Sequence, residues 1–346
     1  MENVLKKWGK VTAGLAMAAT LLTACGNEED NIGNEQNDGN NAVQNNAEEN
    51  AAGNENANEA GEGNDNGFPV TLTDSTGNEV TIDEEPETLV SLLPSNTEIL
   101  FELGAGDRLI GVSEYCNYPE ETADIDNVGA QDMDPELILS LDPDIVFVQA
   151  YHEENHSDIL NQYEEAGIDV IVVEGGNSFE EVYETIQMIG EATGTGDRAD
   201  EIVADMEERL EEIKEQAADI PEEDQKKVWV EVAPSPDIFT TGQGTFMHEM
   251  LESINAVNAA EEEEGWVNLN EEEIVMLNPD VIITTYGYYV DDPQQEVLSR
   301  DGWAEVPAVQ NERIHDVDND TVTRPGPRLI EGVETLAELV YPDVFK

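Results

Sequence analysis

Few residue groups in this chain have the types and spacing for chemistry. His152-Glu153-Glu154-Asn155-His156 is an H-E-x-x-H string. On a buried helix it would set two imidazoles on one face for zinc, with a glutamate base beside them. Its context argues otherwise. The string follows directly on the apolar run 145–148, in a polar loop or first helical turn, and His248 and His315 are distant. The residues read as a solvated helix start, with zinc binding as the alternative. No Gly-x-Ser-x-Gly elbow and no Gly-x-x-x-x-Gly-Lys loop occurs, and Cys116 has no evident histidine partner. Nucleophilic hydrolysis and dinucleotide binding therefore lack a motif. Gly242-Gln243-Gly244-Thr245 could at most hold an anion.

Basic residues are scarce, 14 against 80 acidic ones, for a formal charge of −66. Two of them frame Arg324-Pro325-Gly326-Pro327-Arg328, where a guanidinium can fork onto carboxylate, amide or phosphate groups. Such a chain cannot neutralise nucleic-acid phosphate, and an anionic membrane repels it, so membrane attachment must be covalent or through a partner. Acidity spread along the whole chain suits a protein working at high salt.

Hydrophobic residues still make up 39% of the 346 positions, enough for two domains. Val70, Leu72, Val80 and Ile82 alternate around Ser75-Thr76-Gly77-Asn78, which predicts a hairpin. Runs at 89–93, 109–112, 145–148 and 170–173 predict short buried strands with helices between. Ser95-Asn96-Thr97-Glu98 reads as a capping box that opens a helix ending at Gly104. A helix, a Leu-x-Pro-Asp stop and a strand at 135–146 recur at 271–282. This predicts an α/β protein of two Rossmann-like lobes, 68–196 and 220–346. Between them Ala199, Ile202, Met206, Leu210, Ile213 and Ala217 mark one helix over 197–219, roughly 35 Å long at about 1.5 Å per residue. A rigid connector of this kind predicts modest lobe motion. Glu136 and Glu272 hold matching places, second in their helices. Either they complement the helix dipole or they offer one carboxylate per lobe to a basic two-fold partner.

Residues 1–24 have a lysine-bearing start and a short apolar run closing on Leu22-Thr23-Ala24-Cys25-Gly26. This reads as an export signal and resembles the bacterial lipobox, with Cys25 as the lipidated first residue of the mature chain. Cys116 is then a packed structural thiol. Residues 26–67 consist largely of Asn, Glu, Asp, Gly and Ala and read as a disordered, self-repelling tether.

The lipobox, Ser91-Leu92-Leu93-Pro94-Ser95-Asn96-Thr97-Glu98, Tyr115-Cys116-Asn117-Tyr118-Pro119, the paired repeats and Arg324 to Arg328 together resemble the substrate-binding proteins of ABC importers for cobalamin, siderophores and haem. The resemblance covers residues 68–346 and is strongest to the cobalamin-binding branch. It implies two lobes on one long helix (class III), no catalysis, no cofactor, and a monomer lipid-anchored at the extracytoplasmic face of the cell membrane. It further implies that Tyr115, Phe239 and Trp266 pack on a corrinoid, that Asp320 and Arg324 reach its polar groups, and that Glu136 and Glu272 dock on arginines of the permease dimer. Ala130 and Gln149 stand where that branch can place tryptophans, and Tyr151, or Tyr286, Tyr288 and Tyr289, are the aromatic residues available instead. A siderophore or haem carrier stays open within the class, and a zinc receptor or hydrolase using His152 and His156 outside it.

Overall fold

The computed structural model describes residues 67–345, and every count below is of those residues. The leader, Cys25 and the tether as far as residue 66 lie outside them. None of the described helices is long and apolar enough to cross a membrane.

The chain enters with an antiparallel hairpin, β1 (Val70–Thr73) and β2 (Glu79–Ile82). Its turn is closed by Asp74, whose carboxylate accepts from the Thr76 and Asn78 amides at 3.0 and 2.9 Å. The first lobe then alternates β3 (Leu89–Ser91), α1 (Pro94–Glu102), β4 (Leu109–Val112), β5 (Asp126–Asn127), α2 (Pro135–Leu141), β6 (Ile145–Val148), α3 (Ala150–Ala166), β7 (Asp169–Val172) and α4 (Phe179–Thr193). Its five strands are all parallel, in the order β5-β4-β3-β6-β7. A parallel sheet covered on both faces needs strands apolar throughout. Accordingly all four residues of β6 are buried, Ile145 and Phe147 in one hydrophobic cluster and Val146 and Val148 in another.

The capping-box reading of Ser95 to Glu98 is corrected. Pro94 at the first helical position starts α1 earlier, Leu93 takes the N-cap place, and no side chain caps the end. Glu98 is then free to face elsewhere.

The helix α5 (Gly196–Ala217) follows, and each apolar residue predicted for its stripe is buried. The second lobe contains β8 (Lys227–Glu231), β9 (Phe239–Thr241), α6 (Phe246–Ser253), β10 (Val257–Asn258), β11 (Trp266–Asn268), α7 (Glu271–Leu277), β12 (Val281–Thr284), α8 (Pro293–Leu298), α9 (Pro307–Gln310), β13 (Ile314–Asp316), α10 (Asn319–Thr323) and α11 (Leu329–Val340). Its main sheet is parallel in the order β10-β8-β12-β13, and β9 pairs with β11 in a separate antiparallel ribbon.

The repeat seen in the sequence is structural. The N-caps Asp134 and Asn270 each accept, at 3.0 Å, from the amide three residues on, and the C-caps Asp142 and Asn278 are both left-handed. In each copy the Pro-Asp aspartate, Asp144 or Asp280, accepts from backbone amides at the start of the neighbouring strand. Side chains of both sheets, α5 and α11 share one buried cluster. Arg209 of α5 adds a two-pronged bond to Glu334 of α11, at 3.0 and 2.9 Å. The lobes therefore grow from one continuous core.

Candidate functional site

Between the lobes lies a cleft of about 920 Å³. Parallel sheets leave room for ligands beyond the carboxyl ends of their strands, and the lining segments follow that rule. Leu93 to Ser95 come just after β3, Gln149 just after β6, Glu174 to Asn177 after β7, and Asn319 and Asp320 after β13. Helix α4 adds Glu181 and Glu184 to one wall, and Trp266 stands on the other.

Of the residues proposed from the sequence, Trp266, Asp320 and Arg324 line this cleft and Tyr115 and Phe239 do not. Phe239 and Trp266 are linked through the ribbon. Phe239 pairs with Asn268 and Trp266 with Thr241, so both aromatic rings project from the same face, 42% and 49% exposed. Tyr115 is 63% exposed, on a loop whose next residues are tied to the body of the protein through specific contacts. Cys116 Sγ lies 3.1 Å from Thr97 Oγ1, and the Arg328 guanidinium stacks 3.9 Å from the Tyr118 ring centroid. The tyrosines named as aromatic substitutes do not line the cleft either. Tyr286 is fully buried and donates to Glu231 at 2.8 Å, which burial and the carboxylate's charge favour by raising its pKa. Ala130 is buried and Gln149 lines the cleft.

The feature missed in the sequence is Glu98. It is 2% exposed and joins the lobes. Arg328 donates to both its oxygens at 2.8 Å, and Arg324 forms a further ion pair with Oε1. Arg324 also pairs with Asp320 at 2.9 Å and donates to Asn117 Oδ1 at 3.1 Å, while Asn117 Nδ2 donates to Asp320 at 3.1 Å. Burial alone would lower the Arg328 pKa, but the hydrogen bonds and charge of Glu98 outweigh it and hold the value above the ordinary range. Arg324 thus reaches the cleft with its guanidinium already shared among protein groups. Beside it Gly175 lets the lobes touch, since a Cβ there would stand 2.2 Å from Pro325 Cγ.

The H-E-x-x-H string is helical, and the expected solvated start is corrected at His152, which is fully buried. Its Nδ1 accepts from the Gln149 amide at 3.1 Å, leaving Nε2–H to donate to the Ala130 carbonyl at 2.9 Å. Burial lowers its pKa, which keeps the ring neutral. With both nitrogens bonded it serves as a core pin. The backbone departs from helical geometry at His156. Glu136 and Glu272 are exposed, each second in a seven-residue helix.

A cleft between two parallel-sheet lobes, with one long helix packed across both, is the geometry of a carrier. The model of the family described as periplasmic binding protein matches residues 89–321. The chain belongs to the periplasmic binding protein family. Among relatives of this periplasmic binding protein is the uncharacterized ABC transporter substrate-binding lipoprotein YvrC of Bacillus subtilis, 43% identical over 342 residues, covering 99% of this chain and all of the relative. The cobalamin-binding protein of Halobacterium salinarum is 27% identical over 284 residues, 79% of this chain and 74% of that one. Among solved structures, a possible iron-binding periplasmic solute-binding protein from Staphylococcus epidermidis superposes with a TM-score of 0.66 at 32% identity, covering 75% of this chain and all of that one. The protein is a substrate-binding component of the ABC-transporter class, and what it binds is transported cargo.

Proposed function

We propose that this protein captures cobalamin or a related corrinoid in the interlobe cleft and delivers it to an ABC permease dimer from the extracytoplasmic face of the cell membrane. In this reading a lipid on Cys25 and the tether hold a monomeric body near the permease. Lobes 68–196 and 220–346 flank the connector, Trp266 and Phe239 present aromatic surface to the ligand, Asp320 and Arg324 set the polar end of the site, and Tyr115 closes from the rim. The exposed, equivalent Glu136 and Glu272 dock the loaded protein.

The observation that carries the ligand choice is the charge of the cleft wall. Asp74, Glu174, Glu181, Glu184 and Asp320 line it against a single guanidinium, Arg324, which Glu98 and Asp320 already engage. A haem with two carboxylates, or an anionic ferric chelate, brings negative charge into that field without a free cation to meet it. A corrin ring edged with uncharged carboxamides suits an aromatic wall with polar anchors. The Halobacterium relative named as cobalamin-binding supports the same choice. Calorimetric titration of the full-length protein at high salt, against cyanocobalamin, haem and ferric hydroxamates, tests it. One-to-one binding of cyanocobalamin is expected; binding of haem or a ferric hydroxamate alone moves the cargo to that class.

A further inference from the structure

The amino end of α1 opens on the cleft with its hydrogen-bond donors unspent. Leu93, Pro94 and Ser95 line the cleft, and no side chain caps the helix. The first intrahelical bond is made by the Thr97 amide, to Leu93 O at 3.1 Å. Pro94 has no N–H, and among the described residues nothing accepts from the amides of Ser95 or Asn96. The Ser95 side chain repeats the pattern independently. Ser95 is 2% exposed, and its Oγ has no partner; the amide group of Asn96, wholly buried beside it, has none either. Buried donors are almost always paired, and the amino end of a nine-residue helix attracts an acceptor through its dipole. Helices α4 and α6 differ: Ser178 and Thr245 cap them, and Glu249 of the second lobe accepts from the Phe179 amide at 2.8 Å.

We infer that Ser95 Oγ–H and the free amides of Ser95 and Asn96 form a subsite for an uncharged acceptor on the cargo, a carboxamide carbonyl. The helix end by itself would take a carboxylate as readily. The surrounding wall decides against it, because a carboxylate here enters a field set by Glu174, Glu181, Glu184, Asp74 and Asp320 with no uncommitted cation to offset them. A carboxamide meets both needs: its C=O accepts from α1, and its NH₂ donates to a wall carboxylate. This subsite rests on the proposed corrinoid reading and gives it a specificity element on the first lobe, opposite Trp266.

The test uses the full-length protein and three variants. Ser95→Ala removes the hydroxyl donor and should weaken cyanocobalamin binding about five- to tenfold, the worth of one buried hydrogen bond. Leu93→Asp places an internal acceptor at the N-cap; it should raise or preserve Tm while lowering affinity at least tenfold. Leu93→Asn, uncharged, should do the same more weakly. A purely structural role for this corner predicts loss of stability without that opposition. Wild type is also titrated with cyanocobalamin monocarboxylic acids, each with one amide hydrolysed. The acid that carries its carboxylate into the subsite should bind less tightly than the parent at low salt, and the gap should narrow as salt rises. Parent-like affinity in both Ser95→Ala and Leu93→Asp overturns the subsite and leaves the cargo assignment standing. A monoacid binding more tightly than its parent shows an anion site and overturns the uncharged-acceptor claim. If wild type binds only a ferric hydroxamate, the corrinoid reading falls, and the same variants assayed with that hydroxamate test the subsite. Binding of haem alone, or of no probe, overturns both.

Discussion

Glu98 is the residue on which the two lobes depend most directly for charge balance. Its carboxylate is buried between Arg324 and Arg328, and removing the charge leaves two guanidinium groups in low dielectric with only Asp320 nearby as a direct ion-pair partner. Breaking one partner of a buried ion pair costs about 3 to 5 kcal/mol. Glu98→Gln should therefore lower stability by about 3 kcal/mol in urea unfolding, and adding Arg328→Met should cost less than the sum of the two single changes, because the second charge is no longer stranded. Additive losses would mean that the bridge carries no coupling. None of this was legible in the sequence. Ser95 to Glu98 has the spacing of a capping box, and the true partners of Glu98 lie 226 and 230 residues away. His152 was hidden for a related reason: a polar string looks solvated until the fold supplies the carbonyl of Ala130. Arg324 stood out because basic residues are rare in so acidic a chain, Trp266 came from the family resemblance, and both line the cleft.

At the scale of elements the sequence was far more informative. Strands buried on both faces must be short apolar runs, and helices packed on them must carry stripes, so the alternation that fixes a parallel α/β architecture is written locally. The matched segments went further. Helices α2 and α7 share length, N-cap chemistry and left-handed C-caps, which makes Glu136 and Glu272 equivalent in their local surroundings. What neighbouring residues could not reveal was the position of loops. Tyr115 projects from a segment whose direction is set by Asn117 and Tyr118 meeting Asp320, Arg324 and Arg328 across the lobes. Exposed carboxylates at helix starts contribute only about 0.3 to 1 kcal/mol to stability, so reversing them separates docking from folding. Glu136→Arg with Glu272→Arg should leave Tm and cargo affinity nearly unchanged and abolish uptake in cells carrying the cognate permease. Uptake at the unmodified rate would remove the two glutamates from the docking surface.

For the molecule as a whole, a formal charge of −66 on 346 residues sets self-repulsion against a core that, among the described residues, has no disulfide to reinforce it, Cys116 being free. The basic residues are largely committed in specific bridges: Arg108 to Glu85, Arg209 to Glu334, Arg300 to Glu231 and Glu296, and Arg324 and Arg328 to Glu98. The excess carboxylates must therefore be screened by solution cations. Raising salt from about 0.1 to about 1 M shortens the Debye length from about 10 to about 3 Å, which removes most repulsion between exposed carboxylates while leaving buried pairs such as Arg300 with Glu231 nearly untouched. Stability should accordingly rise with salt over this range, and potassium chloride should serve as well as sodium chloride, since screening depends on ionic strength. A Tm that is flat or falling between 0.1 and 1 M in thermal melts of the full-length protein would show that the acidic surface does not limit stability. The same screening acts on the cleft, where it weakens discrimination between charged and uncharged cargo. Specificity at high salt then rests on the short-range donors of α1 and the aromatic face of the ribbon, which is why the Ser95→Ala effect should persist at 1 M salt when the penalty on a carboxylate has largely gone.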